Sequence, residues 1–482
     1  MSSKERNLQE TQLQGNLGVG ELVFSVVAFA APLVVVGGQL PSLIVYTGYG
    51  IGVAYILPII LWLIFAVPFT TMNTHIGRPG AFYAFITSGI NKETGLGGAF
   101  VVTAAYFLFL VGMWACLGVY LRQLIEAYGG PTIPWYVFAI AMFIIIGILG
   151  VFKIDLSAKV LGVFLLLEVA AIIVFDVVVF AKGGPDGSSP MEVFDPSHLG
   201  SANMMLAFLF ATNSFFGFES AAILREEAKD PVKTVKRATY TAVIVVGAFY
   251  FVSALAMVTA LGEEGVYNAS FDTSSTMFSD LMAQYVAPWM PQVIAILMIT
   301  SSFATALAQH NTVTRYLYSF GKDGVLWNKL GKAHPKRNSP YIASMLLSAV
   351  EIISIFVLMI TSKFEPMGDG PYNFFVRTGG LGAATLIFAL CFVCLAIFLF
   401  FRKNPQYEVG LWKGTITPII AFIGMIFILI CAVTNIDELI GMSFGASLAL
   451  ACIIPILFFV GFFYARYLKK NKPEIYQRIG RN

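Results

Sequence analysis

The sequence predicts an all-α integral membrane protein of twelve transmembrane helices, on three grounds. The first is composition: 58% of the 482 residues are hydrophobic, 12% are charged and the mean hydropathy is +0.79, whereas soluble globular chains carry about 25% charged residues. The second is run length. Apolar stretches of about 20 residues, long enough to cross a hydrocarbon core about 30 Å thick, recur with short polar loops between them. The ~10-residue alternation of a transmembrane β-barrel is not seen. These stretches, numbered spans one to twelve, are 19–46, 50–74, 95–126, 134–152, 157–181, 202–224, 238–262, 288–318, 340–362, 377–401, 412–434 and 443–467. The third is charge placement. With the N-terminus in the cytoplasm, every Lys and Arg except Arg122, Lys182, Lys363 and Arg377 falls on the cytoplasmic side, and an even span number returns both basic tails to it.

The termini and loops obey the same pattern. The polar start MSSKERNLQETQLQGN lacks the apolar core of a cleavable signal, so the first span is expected to direct insertion. A cytoplasmic tail (1–18) precedes spans one to five (19–181), six to ten (202–401) and eleven to twelve (412–467), and a second cytoplasmic tail (468–482) ends the chain. Spans three and eight exceed the bilayer thickness, which implies tilt. In the longest outer loop the stretch SSTMFSDLMAQYV is amphipathic and is expected to lie on the outer surface. Asn268-Ala269-Ser270 in that loop is a glycosylation acceptor in a eukaryotic host. A net charge of +3 says little about partners, and no basic–aromatic patch points to nucleic acid. Cys116, Cys391, Cys394, Cys431 and Cys452 all lie in apolar runs and read as small core residues, not as a disulfide or metal framework.

Two spans resist being continuous helices. Span one contains FAAPLVVVGGQLP, where Pro32 removes a backbone donor and Gly37, Gly38 and Pro41 weaken the rest of the span. Span six contains ATNSFFGFES, with Asn213, Gly217 and Glu219 at its middle. A carboxylate at mid-membrane costs about 2.5–3.5 kcal/mol on insertion scales. Broken backbone at that depth is tolerated only where protein or a water-filled cavity satisfies the freed N–H and C=O groups. Pro and Gly also kink ordinary tilted helices; the buried Glu219 tips the reading toward a solute site. The interruptions fall in the first and sixth spans, corresponding positions in two inverted five-helix repeats, which is a transporter architecture. Freed backbone and half-helix ends would then hold the ammonium and carboxylate of a small zwitterion. The candidate substrate-binding residues are Ala31, Pro32, Leu33, Gly37, Gly38, Asn213, Ser214, Phe216, Gly217 and Phe218, joined by Tyr106 of span three.

Three stretches carry a family resemblance. FFGFESAAILREEAKDPVKTVKRA (215–238) resembles the sixth-span signature of the amino acid–polyamine–organocation superfamily: the F-x-G-x-E core, Glu227 eight residues on, then K-D-P and a basic run. RPGAFYAFITSGINKETG (78–95) is similar to that family's P-x-G-x-Y loop after span two, and NTVTRYLYSFGKDGVLWNKLGKAHPKRNSPY (311–341) to its loop after span eight. The resemblance implies a five-plus-five inverted repeat with discontinuous helices one and six, spans eleven and twelve outside it, and secondary transport of amino acids or related amines. Arginine–agmatine-type exchangers of the family carry Glu at the position matching Glu219, with site-lining aromatics matching Phe216 and Phe218. The chain departs from the family at span one: many members have G-S-G at the break, whereas this sequence has Ala30-Ala31-Pro32-Leu33, closer to putrescine-permease-like relatives.

The fifth span adds a coupling candidate. Matching Ser157-Ala158-Lys159 to the family's S-A-[KR] puts Glu168 where several proton-coupled or exchanging members carry Lys, reaching toward the span-one break and span eight. Glu168 and Glu219 are therefore the candidate proton-coupling carboxyls. Alternatively Glu168 with Ser301 and Ser302 forms a hard-oxygen sodium site, or Glu168 is an ion-paired staple between helices. Asp176 reads as a snorkelling residue near the outer end of span five. Glu351 reads as a structural or oligomer contact on span nine, and Glu21 and Arg315 as helix ends near water.

Rival classes have weaker support. Gly441-Met442-Ser443-Phe444-Gly445 fits G-x-S-x-G, but it opens a membrane helix and does not come after a strand, so no catalytic residue is assigned. His75, His198, His310 and His334 form no paired zinc motif, and no metal or organic cofactor is expected beyond a coupling proton or sodium ion. A channel lacks a visible filter repeat; a sensor built on the same fold is separated only by a flux assay. The expectation is a multi-pass cell-membrane transporter of a small amine or amino acid. Proton symport leads over exchange, polyamine permeation or sodium coupling.

Overall fold

The computed structural model describes residues 17–480 apart from 78–80, 153, 186, 188–189, 196, 198–203, 271–275 and 362–369. Most of the predicted N-terminal tail, His198 and Lys363 lie outside the described residues. Among these the chain is helical, with no sheet beyond a single parallel bridge between Leu17 and Ala228. Span one is Val19–Ala30, Pro32–Val34, a π-turn Val35–Gln39 and Leu40–Thr47; span two is Ile51–Ile76. Spans three, four and five are Lys92–Ala127, Trp135–Val151 and Ile154–Lys182. Span six is Met204–Asn213, a non-helical turn, Ser220–Ile223 and a 3-10 turn Leu224–Glu227. Spans seven to ten are Pro231–Tyr267, Met290–Asp323, Tyr341–Thr361 and Gly370–Lys403. Thr417–Thr434 and the pair Phe444–Ala451 and Ile453–Asn471 complete spans eleven and twelve.

Several boundaries move from the sequence expectation, each for a local reason. Span seven starts at Pro231, where Asp230 Oδ1 caps the Lys233 N–H at 3.1 Å and Pro occupies the first turn; Gly262, at φ 65°, kinks its far end. Span eight continues to Asp323 and stops at Gly324, whose φ of 77° suits a left-handed cap. The loop after span two contains a helix of its own, Ala81–Gly89. The amphipathic outer stretch forms Met277–Tyr285 and buries Met277, Phe278, Leu281 and Met282 against the protein instead of lying free on the surface. Cys452 is exposed where span twelve divides; the other four cysteines are buried.

Packing is reciprocal between the two halves. Span one lies on span seven and span six on span two; span three lies on span ten and span eight on span five. Each pair maps onto its partner when spans one to five are exchanged with six to ten, as an inverted repeat requires. Spans eleven and twelve attach from outside, span eleven on spans ten and two and span twelve on span three. Both described chain ends dock on one face, here termed the terminal face. Leu17 bridges to the segment after span six, and the Gly480 N–H donates to Asp323 Oδ2 (2.9 Å) and the Tyr83 hydroxyl (3.0 Å).

Candidate functional site

Span one breaks at Ala31. Pro32 has no N–H to continue the helix, and Ala31 takes φ 51°, ψ 67°, a left-handed conformation costing a residue with a Cβ about 1–2 kcal/mol. Span six breaks over 214–219, centred on Gly217 at φ 108°. A Cβ on Gly217 would stand 2.3 Å from Phe29 Cδ1, so only glycine lets the two breaks approach. Gly37 and Gly38 lie elsewhere. They sit in the π-turn beyond the break, Gly37 against Met298 and Phe278 and Gly38 exposed, with open space where a Cβ would stand.

The freed carbonyls are satisfied in a matching way in each half. In span one, Tyr250 of span seven donates to Ala30 O at 2.9 Å, and Thr305 of span eight to Ala28 O at 3.1 Å. In span six, Trp62 of span two donates to Thr212 O at 3.2 Å, the Tyr55 hydroxyl pairs with Ser214 Oγ at 3.1 Å, and Gln39 of span one donates to Phe210 O. Span seven thus serves span one as span two serves span six. Non-helical backbone survives at this depth because neighbouring helices supply the missing partners.

Two buried carboxylates flank the breaks. Glu219 accepts from the Tyr106 hydroxyl and from the Gly217 N–H at 3.1 Å. Tyr106 meets Phe29 edge-on at 5.6 Å and stacks on Tyr316 at 6.0 Å, so Glu219 lies in an aromatic enclosure with no cation paired to it among the described residues. Glu168 is 1% exposed, is turned toward the Leu33 N–H and lies beside Ser301. Glu168 Oε1, Ser301 Oγ and Ser302 Oγ are buried with no hydrogen-bond partner among the described residues. The staple reading of Glu168 finds no cationic partner there either. Asn213 ends the first half of span six with its Oδ1 unpartnered. Phe216 packs between Trp62 and Phe109, and Phe218 packs on Trp62, Phe65 and Phe69 of span two.

Two polar residues differ from expectation, and a third, Glu351, makes the structural contact expected of it. Asp176 does not snorkel: it is 5% exposed and accepts from Ser253 at 2.9 Å. Arg315 is buried and pairs with Glu227 Oε1 at 2.7 Å, closing span eight onto span six at the terminal face. Glu351 meets His310 Nδ1 at 3.1 Å, and His310 Nε2 meets Ser344 Oγ at 3.0 Å, a fully buried staple between spans eight and nine. Phe29, Tyr250, Thr305 and Tyr316 are central residues that sequence reasoning missed.

Comparison with known proteins fits this geometry. The model of a family described as amino acid permease matches residues 17–466. The chain belongs to that family. The permease is 24% identical over 436 residues to the branched-chain amino acid permease BcaP of Lactococcus lactis, covering 86% of each chain. To the low-affinity putrescine importer PlaP of Escherichia coli it is 25% identical over 231 residues, 47% of this chain and 50% of that one. Among solved structures it is similar to a Na+-coupled sialic acid symporter in a substrate-bound outward-open state, with a TM-score of 0.51 at 12% identity over 87% of this chain and 89% of that one. That likeness concerns fold. The permease is accordingly a multi-span membrane transporter of the amino acid and amine type, in a family of carriers and not of enzymes.

Proposed function

We propose that the permease carries an ammonium-bearing solute, an amino acid or related amine, by alternating access in symport with a proton. The observation that supports this most is the meeting of two broken spans beside Glu219, with Phe29 against Gly217 and Tyr106 on the carboxylate. An ammonium has three donors and no acceptor, so it complements Glu219 and competes with the Tyr106 hydroxyl and Gly217 amide for it. On this reading residues 19–181 and 202–401 are the two inverted repeats, the protein sits in the cell membrane and the terminal face is cytoplasmic. Release there requires the Glu227–Arg315 pair and the Leu17–Ala228 bridge to part. Glu168, beside the outer half of span one, is the proton carrier, since a buried carboxyl within a membrane span is a functional candidate by default and proton relay is one of its uses.

A second reading has its own support: three unpartnered oxygens, on Glu168, Ser301 and Ser302, form the kind of donor set that hard cations take. Uptake into proteoliposomes under an imposed pH gradient or sodium gradient separates the two. Branched-chain amino acids and putrescine lead the panel. The pH gradient is expected to drive accumulation without sodium, and Glu168→Gln to lose accumulation while keeping exchange. A sodium requirement transfers Glu168 to the cation site; no flux for any amine rejects transport.

A further inference from the structure

Away from the breaks, spans three, eight, nine and twelve leave a crevice of about 400 Å³ between them. Its floor is Val313, Phe320 and Leu347, each 2% exposed, and its lips are Leu326 at 37% and Leu346 and Val350 at 40%. The polar lining side chain, Thr103, spends its hydroxyl on Ala99 O at 2.8 Å. The walls therefore offer a ligand only apolar contact, and a cavity of that kind does not hold water. Val313 lies ten residues from the end of span eight at Asp323, so the crevice reaches about 15 Å into the membrane from the terminal face.

Its mouth is basic. Leu326 leads into Trp327, which is 57% exposed and has the Lys329 ammonium 5.1 Å from its ring centroid; Lys332, three residues further on, is also exposed. The Tyr464 hydroxyl donates to Val325 O at 2.9 Å and pins this segment to span twelve. Trp and Lys so placed belong at the level of lipid headgroups.

We propose that this crevice is a binding site for one anionic phospholipid, with an acyl chain along Val313, Leu347 and Val350 and the headgroup phosphate at Lys329 and Lys332. Only hydrocarbon is available to fill an apolar opening at that depth, and juxtamembrane lysines attract anionic lipid in particular. None of the central residues lines the crevice, so the assignment is independent of the transported solute.

Native mass spectrometry of the full chain, incubated with phosphatidylglycerol or phosphatidylcholine of matched acyl chains, reads the bound lipid directly. One phosphatidylglycerol is expected to stay on each chain in preference to phosphatidylcholine. Joint Lys329→Gln and Lys332→Gln substitution, at two exposed positions, is expected to weaken it about thirtyfold. Ala104→Phe, which fills the crevice from span three, is expected to abolish retention, with the melting temperature checking that the variant folds. Equal retention of the two lipids by the wild type, or undiminished phosphatidylglycerol on the lysine variant, overturns the site, and the lysine variant decides the matter if Ala104→Phe does not fold.

Discussion

Gly217 and Ala31 open the two spans by different chemistry. Gly217 is required twice over, by its φ of 108° and by the Phe29 ring that would meet a Cβ at 2.3 Å. Ala31 holds a left-handed conformation because Pro32 ends the helix and Tyr250 and Thr305 tie down the carbonyls before it. Gly217→Ala should push Phe29 off its seat at an overpacking cost of about 1–3 kcal/mol. If that cost falls on the transport barrier, the rate drops about 5- to 160-fold. A melting curve beside a flux measurement checks it, and unchanged flux in a folded variant would show that the close approach is dispensable. Glu219 and Gly217 were legible in the sequence because a carboxylate and a glycine stand out in an apolar run. Phe29, Tyr250 and Tyr316 were not, since aromatics make up 14% of this chain and nothing local marks which ones face inward. Gly37 and Gly38 misled for the converse reason: helix-weakening residues here shape a π-turn, while a proline–alanine pair makes the break.

At the level of elements, the terminal face is held by contacts between helices. Arg315 of span eight pairs with Glu227 after span six, and Arg225 donates to Asn73 O of span two at 2.7 Å. Arg315→Gln takes the guanidinium away from the buried Glu227 carboxylate, a change costing about 3–5 kcal/mol in comparable cases. The double variant with Glu227→Gln should recover much of that stability, because the two losses are not additive. Thermal unfolding of both variants tests the coupling; two equal, additive losses would mean the pair does not act as one latch. Span count and order were readable from hydropathy. Span ends were less so, because Asp230-Pro231 and Gly324 set them by capping beyond the apolar run. Arg315 and Asp176 were placed near water because a single sequence shows a charge but not its partner on another helix.

The whole molecule repeats one device: a broken span in each half, its loose carbonyls served by the second span of the other half. The interruptions at the first and sixth spans announced this arrangement, and reciprocal packing agrees with it. Substrate identity was not legible, because it depends on how side chains from four or more helices close around the enclosure beside Glu219. The most direct measurement is counterflow in proteoliposomes across amino acids and diamines, comparing wild type with Glu219→Gln at equal reconstituted amounts. At least one ammonium-bearing solute should exchange through the wild type and about tenfold or more slowly through the variant, the loss expected when about 1.4 kcal/mol of stabilisation is removed. Equal rates in the two proteins, or exchange of uncharged solutes alone, would contradict a solute site built on that carboxylate.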